Sequence, residues 1–377
     1  MEENLERRTF LSKGEPMKAR VRPFERADLE GVARLRTLAF THRPEASDTN
    51  WQSLIWRWLG THPLAENLHR WVLITEGGGE VVGHLAALPQ YYRIRGRRII
   101  AHSPADYAVL PDYGFHAITL MRRLLRTVEN FVACDTAPEV INVERRLGAE
   151  EAGKLQFAAK VRDVSGVPNF PDALPMPVPQ LLNWGLRSVD RALSSSLLAV
   201  HPEVEVLEGF DSSFDDLFEQ VAAAVPCVTE KDAAFLRWRY GPGSPQYPVT
   251  VLGVREGESL LGYAILWGTR EGDSGYLLDL TTLPGRYDVS RSLAREAVRQ
   301  FARSGVRSVR YRFMESPTSP RTRDLWRLGF FLNSGRRSTL LVKFAERDLH
   351  EAATDLANWS YTFGDGEATF WVSKESL

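Results

Sequence analysis

The residues whose types and spacing could do chemistry gather in Ile99–Leu125. This stretch reads as an apolar strand, a turn built on Pro111-Asp112-Tyr113-Gly114, and a helix. A strand that ends in exposed backbone amides and runs into a helix N-terminus can hold an anion, because the amides donate and the helix adds its positive end. Two titratable groups stand on the strand, His102 and Asp106. Four residues apart, they share a face but lie ~13 Å from each other, too far to hydrogen-bond.

Other elements must position that stretch. Val21-Arg22-Pro23-Phe24 reads as a short strand, and Asp28 as the N-cap of a helix over LEGVARLRTLAF. An aromatic segment, WQSLIWRWLGTHP, follows. Trp71–Glu76 and Val81–Tyr91, joined by three glycines, read as a hairpin. The second half repeats this order. Trp238-Arg239-Tyr240 then Pro245 matches Trp56-Arg57-Trp58 then Pro63, Leu261-Gly262-Tyr263 matches Val82-Gly83-His84, and Leu328-Gly329-Phe330 matches Leu147-Gly148-Ala149. Three landmarks in one order predict two copies of one α/β unit. A length of 377 residues also exceeds one ordinary core. The expected divisions are a frayed terminus at 1–17, a domain at 18–170, a Pro-rich linker and helix at 171–202, and a domain at 203–377. Each domain should be a mixed, mostly antiparallel sheet flanked by helices, an α/β (α+β) architecture.

Composition excludes several classes. A net charge of −1 gives no general pull toward nucleic acid or an anionic membrane. Cys134 and Cys227 lack neighbours at ligand spacing, so neither a disulfide framework nor a metal site is expected. No apolar run is long enough to span a membrane and no signal peptide is visible, so a cytoplasmic protein is expected.

The stretch ADYAVLPDYGFHAITLMRRLL resembles the strand–turn–helix of the GNAT superfamily of acyl-CoA-dependent N-acyltransferases, and the chain resembles a tandem pair of such folds. Val109, Pro111, Tyr113, Ala117, Ile118, Leu124 and Leu125 hold motif positions, and INVERRLGA and RDLWRLGFF resemble the family's closing segment. The family's Arg-Gly-x-Gly is Gly114-Phe115-His116-Ala117 here, with the bulk of Phe115 where the family has none. The second copy, with Pro284-Gly285-Arg286, has a shorter turn, so the first copy is the favoured binder.

The resemblance implies an acetyl-CoA or longer acyl-CoA co-substrate. It would be held by the backbone of Tyr107, Ala108, Val109 and Leu110, by the turn and first helical residues Gly114, Phe115, His116, Ala117, Ile118 and Thr119, and by Asn142 at the end of the next strand. It implies direct attack by an amine on a small molecule or peptide, which needs a base. Asp106 is the first candidate and His102 the second, with Asp279 and Glu315 in reserve. Glu144 stands where the family has a general-acid tyrosine, and Tyr113 could serve instead. Arginines 93, 95, 97 and 98 on the hairpin and 122, 123 and 126 on the helix could meet a 3′-phosphate, or an acyl carrier protein as donor. The alternative is a catalytically silent fold that binds an acyl thioester or a glycan precursor. The sequence carries no argument on oligomeric state.

Overall fold

The computed structural model describes residues 18–41, 44–164, 178–195, 202–269 and 274–366. The expected frayed terminus at 1–17 lies outside them. The first half runs β1 (Ala19–Pro23), α1 (Leu29–Ala39), α2 (Thr49–Gly60), β2 (His69–Thr75), β3 (Val81–Ile94), β4 (Arg97–Val109), α3 (Ala117–Thr127), β5 (Phe131–Asp135), α4 (Pro138–Arg146) and β6 (Glu150–Val161). Helix α5 (Val178–Ser195) connects the halves. The second half runs β7 (Glu205–Leu207), α6 (Ser213–Ala224), β8 (Cys227–Thr229), α7 (Ala233–Tyr240), β9 (Thr250–Glu256), β10 (Ser259–Gly268), β11 (Ser274–Thr282), α8 (Tyr287–Arg303), β12 (Ser308–Phe313), α9 (Thr322–Arg327) and β13 (Phe331–Lys343). Helix α10 (Arg347–Ala353) and β14 (Trp359–Ser360) close the described chain.

The expected mixed, mostly antiparallel sheet with flanking helices is present. It is one continuous sheet rather than two, in the order β1-β2-β3-β4-β5-β13-β6-β12-β11-β10-β9-β7. The last strand of each half sits in the other half. β13 lies between β5 and β6, antiparallel to both, and β6 pairs with β12 through Ser308↔Val161 to Phe313↔Gln156. One apolar cluster accordingly mixes Tyr92, Ile94, Val132 and Leu155 with Cys227, Leu340, Val342, Trp359 and Tyr361.

Local chemistry explains several boundaries. Helices α4 and α9 both end on a glycine in the left-handed region, Gly148 at φ +93° and Gly329 at φ +80°. The next amide returns to the last turn in both, Ala149 N–H to Glu144 O and Phe330 N–H to Leu325 O. The repeated Leu-Gly is therefore a helix stop. Asp28 is not a side-chain cap of α1. Its carboxylate accepts from the Arg22 guanidinium at 2.7 Å and from the Glu25 amide at 2.8 Å, closing the turn before the helix. Within the expected Pro-rich linker and helix, Val178-Pro179-Gln180 opens α5; a proline in a first helical turn forgoes only an amide that has no partner there.

Trp238 meets Trp58, not Trp56, across the junction of the halves: their rings stack 4.4 Å apart at 6°. Three of the four hairpin arginines are internal ties. Arg93 and Arg98 pair with Glu230, and Arg97 with Glu346, all in the second half.

Candidate active site

Strand β4 carries the site because of two irregularities. The first is a bulge. Pairing with β3 slips between His84 and Ala86, and Asp106 takes φ +53°. A short polar residue tolerates that conformation better than most, and the extra residue turns its side chain into the protein. Asp106 is buried against Arg36 of α1: Nε lies 3.0 and 2.9 Å from the two carboxylate oxygens, and the terminal nitrogen also binds Oδ2. His84 of β3 places Nδ1 3.0 Å from Asp106 Oδ2. Burial alone would raise the Asp106 pKa, but the Arg36 charge and the His84 hydrogen bond overcome it and hold the carboxyl far below its ordinary value.

Asp106, expected as the base, is thus tied to Arg36 and His84 rather than free in the gap. The arrangement points instead to His84, which in the sequence stands out only as a repeat landmark. The other ring nitrogen, Nε2, is buried and has no hydrogen-bond partner among the described residues. Trp56 and Phe24 pack edge-on to its ring at 6.2 Å each.

The second irregularity is the parting of β4 from β5. The two are parallel partners at His102↔Phe131, after which β5 continues against β13. Leu110 N–H is taken by Val82 O of β3 at 2.9 Å, so Leu110 does not face the gap. Strand alternation turns the neighbouring Val109 N–H to the opposite, open edge. The turn Pro111–His116 and the first residues of α3, Ala117, Ile118 and Thr119, follow at the mouth. The side chain of Phe115 is 81% exposed and so does not fill the turn.

Glu144 of α4 is fully buried. Burial drives its pKa well above the ordinary value, and the Asp135 carboxyl beside it pushes the same way. Tyr107 of β4 has a buried hydroxyl, raised in pKa by burial and by Glu144. Tyr113 sits in the turn and packs with Leu110 on the α3 side. Two expectations fail here. Asn142 is an exposed residue in the middle of α4, seven positions past the end of β5, because Pro138 starts a helix rather than breaking one. His102 is buried where β4 and β5 are still paired, and its Nε2 lies 3.0 Å from Asn67 O; burial lowers its pKa to about 4.

The equivalent place in the second half is closed. β11 and β12 pair from Ser274↔Ser308 to Leu277↔Tyr311, and the segment after β12 then fills the space beyond. Thr282 N–H donates to Thr318 O at 3.0 Å and Gly285 N–H to Pro317 O at 2.8 Å. Tyr263 OH donates to Asp279 Oδ2 at 3.3 Å. Lys231 neutralises Asp279 at 2.9 Å and Asp365 at 3.1 Å. Asp279 is thus locked in an ion pair, and Glu315 accepts from the Thr322 amide at the head of α9.

A splayed parallel strand pair in a mixed sheet, followed by turn and helix, defines a GNAT-like fold. Residues 20–138 match the family model described as acetyltransferase (GNAT) domain. No curated protein sequence matches the chain. Three solved structures are similar to it. A probable N-acyltransferase from Enterococcus faecalis V583 has TM-score 0.55 at 13% identity over 89% of this chain and 74% of its own. A GCN5-related N-acetyltransferase from Anabaena variabilis ATCC 29413 has TM-score 0.53 at 16% identity, covering 87% and 73%. Saccharomyces cerevisiae N-myristoyltransferase with bound myristoyl-CoA has TM-score 0.55 at 10% identity, covering 88% and 81%. At these identities the likeness is one of fold. Among the described residues no helix is long and apolar enough to cross a membrane, and no cluster suits a metal ion.

Proposed function

We propose that this chain is an N-acyltransferase that moves an acyl group from acyl-CoA to an amine, with the chemistry in the first half. The observation that carries the reading is the contrast between the two gaps: open beside Val109, filled by Pro317 and Thr318 beside Thr282. The second half is then a copy kept for its sheet. The mirrored strand order and the Trp58–Trp238 contact support that duplication.

The Val109 amide on the open edge can hold the thioester arm of the donor, and amides of this kind contribute a few kcal/mol when they meet a developing oxyanion. The turn before α3 and the helix N-terminus suit the pyrophosphate. His84 Nε2 takes the proton of the attacking amine, directly or through a water, while Asp106 fixes its ring and Arg36 fixes Asp106. A positioned base contributes roughly 10²–10⁴-fold. Glu144, kept protonated by burial, is the proton source beside the departing thiolate. The acceptor is a small molecule or peptide amine. With three of the four hairpin arginines engaged, a carrier-protein donor would have Arg122, Arg123 and Arg126 of α3 to meet.

Calorimetric titration with acetyl-CoA and longer acyl-CoA thioesters tests the donor, and amine-dependent thiol release tests the reaction. The reading expects binding, and release that depends on His84. Absence of any acyl-CoA binding overturns it. Binding without turnover across a broad set of amines favours the silent alternative.

A further inference from the structure

His62, Gln90 and Asp365 each carry a buried polar atom that no described residue satisfies: Nε2 of His62, the amide nitrogen of Gln90 and Oδ1 of Asp365. The three side chains are 5%, 9% and 4% exposed. They arrive from separate places, the loop after α2, strand β3 and the turn at Phe363–Asp365. All three line one pocket at the junction of the halves, together with Ser103 of β4 and with Phe235 and Trp238 of α7.

The other bonds of each group fix what it offers. His62 Nδ1 accepts the Leu64 amide at 2.9 Å, so the ring proton sits on Nε2 and that nitrogen is a donor. The Gln90 amide nitrogen is a donor as well. Asp365 Oδ2 accepts from the Thr362 amide at 2.6 Å and pairs with Lys231 at 3.1 Å, which leaves Oδ1 as an acceptor. Two donors and one acceptor therefore face the same space, where an unmet hydrogen bond is costly.

Size and charge select what fits. The free space is about 20 Å³, room for one oxygen-sized group. A single oxygen that accepts two hydrogens and donates one is a hydroxyl. A carboxylate or phosphate dianion has no hydrogen to give Asp365. An ammonium cannot accept from His62 and Gln90, and it would share the pocket with the Arg239 guanidinium. The rim has the opposite character. Phe235 and Trp238 are partly exposed there, their rings 5.6 Å apart, with Leu88 and Pro89 beside them. An apolar rim over a few placed polar atoms is the make-up of a small-molecule site.

We propose that this pocket seats one hydroxyl of a polyhydroxy small molecule, whose C–H groups rest on Phe235 and Trp238. The hydroxyl accepts from His62 and Gln90 and donates to Asp365, so the bound molecule ties the first half to the second. The proposal goes beyond the acyltransfer reading and does not rest on it, and either can fail without the other. A water would meet the same three atoms, and the test separates the two.

Glycerol, myo-inositol and D-glucose are titrated into the full chain, with thermal unfolding and tryptophan emission as readouts. At least one should raise Tm and shift emission along a saturating curve. General solvent effects rise linearly instead. Gln90→Met keeps the bulk and removes the donor, and should weaken the saturating response about tenfold or more in Kd. Phe235→Leu trims the rim without touching the polar floor and should weaken it too; if Gln90→Met does not fold, this variant carries the comparison. One monodeoxy analogue of the polyol that binds should lose about tenfold or more in affinity, because it leaves the three polar atoms unmet. A linear response to all three probes, or a saturating one that neither variant weakens, overturns the proposal. So does a crystal structure with the polyol bound in which a water, and not a carbon-bound oxygen, meets His62, Gln90 and Asp365.

Discussion

Trp58 and Trp238 hold each other by a reciprocal contact. The indole N–H of Trp58 donates to the carbonyl of Trp238 at 2.9 Å, and that of Trp238 donates to the carbonyl of Trp58 at 3.0 Å. Each residue does to the other what is done to it, a reciprocal pairing between the two halves of one chain. His62 seals the edge of the pair, 4.0 Å from the Trp238 ring.

That contact predicts coupling between the halves. Either tryptophan changed to Ala should cost about 3–5 kcal/mol in urea unfolding. The double variant should cost less than the sum by at least about 1 kcal/mol, because each single change already breaks both hydrogen bonds and the stack. Simple additivity would mean that the two rings contribute only as independent core residues.

Asp106 and His84 should separate into stability and activity. Asp106→Asn leaves the buried Arg36 guanidinium without its counter-charge and should destabilise the fold by about 3–5 kcal/mol. His84→Gln keeps a side chain able to donate to Asp106. It should leave acyl-CoA affinity within about twofold and lower kcat by roughly 10²–10⁴. Full activity in His84→Gln would remove His84 as the base.

Stability should fall on the acid side for a definite reason. Burial lowers the pKa of His62 to about 3, with Arg239 and His102 pushing the same way, and lowers that of His102 to about 4. The unfolded chain takes up these protons near pH 6.5 and the folded one does not. Folding free energy is therefore lost as pH drops from about 6.5 toward 4, with a slope approaching about 2.7 kcal/mol per pH unit for the two groups together. Replacing both by Gln should flatten that limb in chemical denaturation measured across pH, and an unchanged slope would rule the pair out as its source.

Glu144 predicts the opposite sign. Its folded pKa is raised by burial and by Asp135, so its contribution is complete below about pH 4.5 and is lost as pH rises toward the folded value. Glu144→Gln, which keeps the shape without the titration, should gain stability relative to wild type on going from pH 5 to pH 8. A constant difference over that range would show that the acid is not held neutral.

The fold was legible where local chemistry decides it. The hairpin β2–β3, the long strand β4, its turn and α3 announce themselves by alternation, glycines and apolar spacing. Asp106 stands out as an acid in an apolar strand, but its partners do not, because Arg36 arrives from α1, 70 residues away in sequence. Nor could Leu110 be told from Val109 as an open amide without the register against Val82. A sequence offset between similar motifs does not say which strands become neighbours, so the placement of β13 between β5 and β6 is not legible from it.

The crossing of β6 and β13 also bears on how the chain could be taken apart. Cut between β6 and β7, it would yield two fragments, each with a gap shaped for a strand that the other carries. Apart, both would show raw sheet edges and tend to aggregate. Mixed, they should find each other as an obligate pair, with the register written into the missing strands.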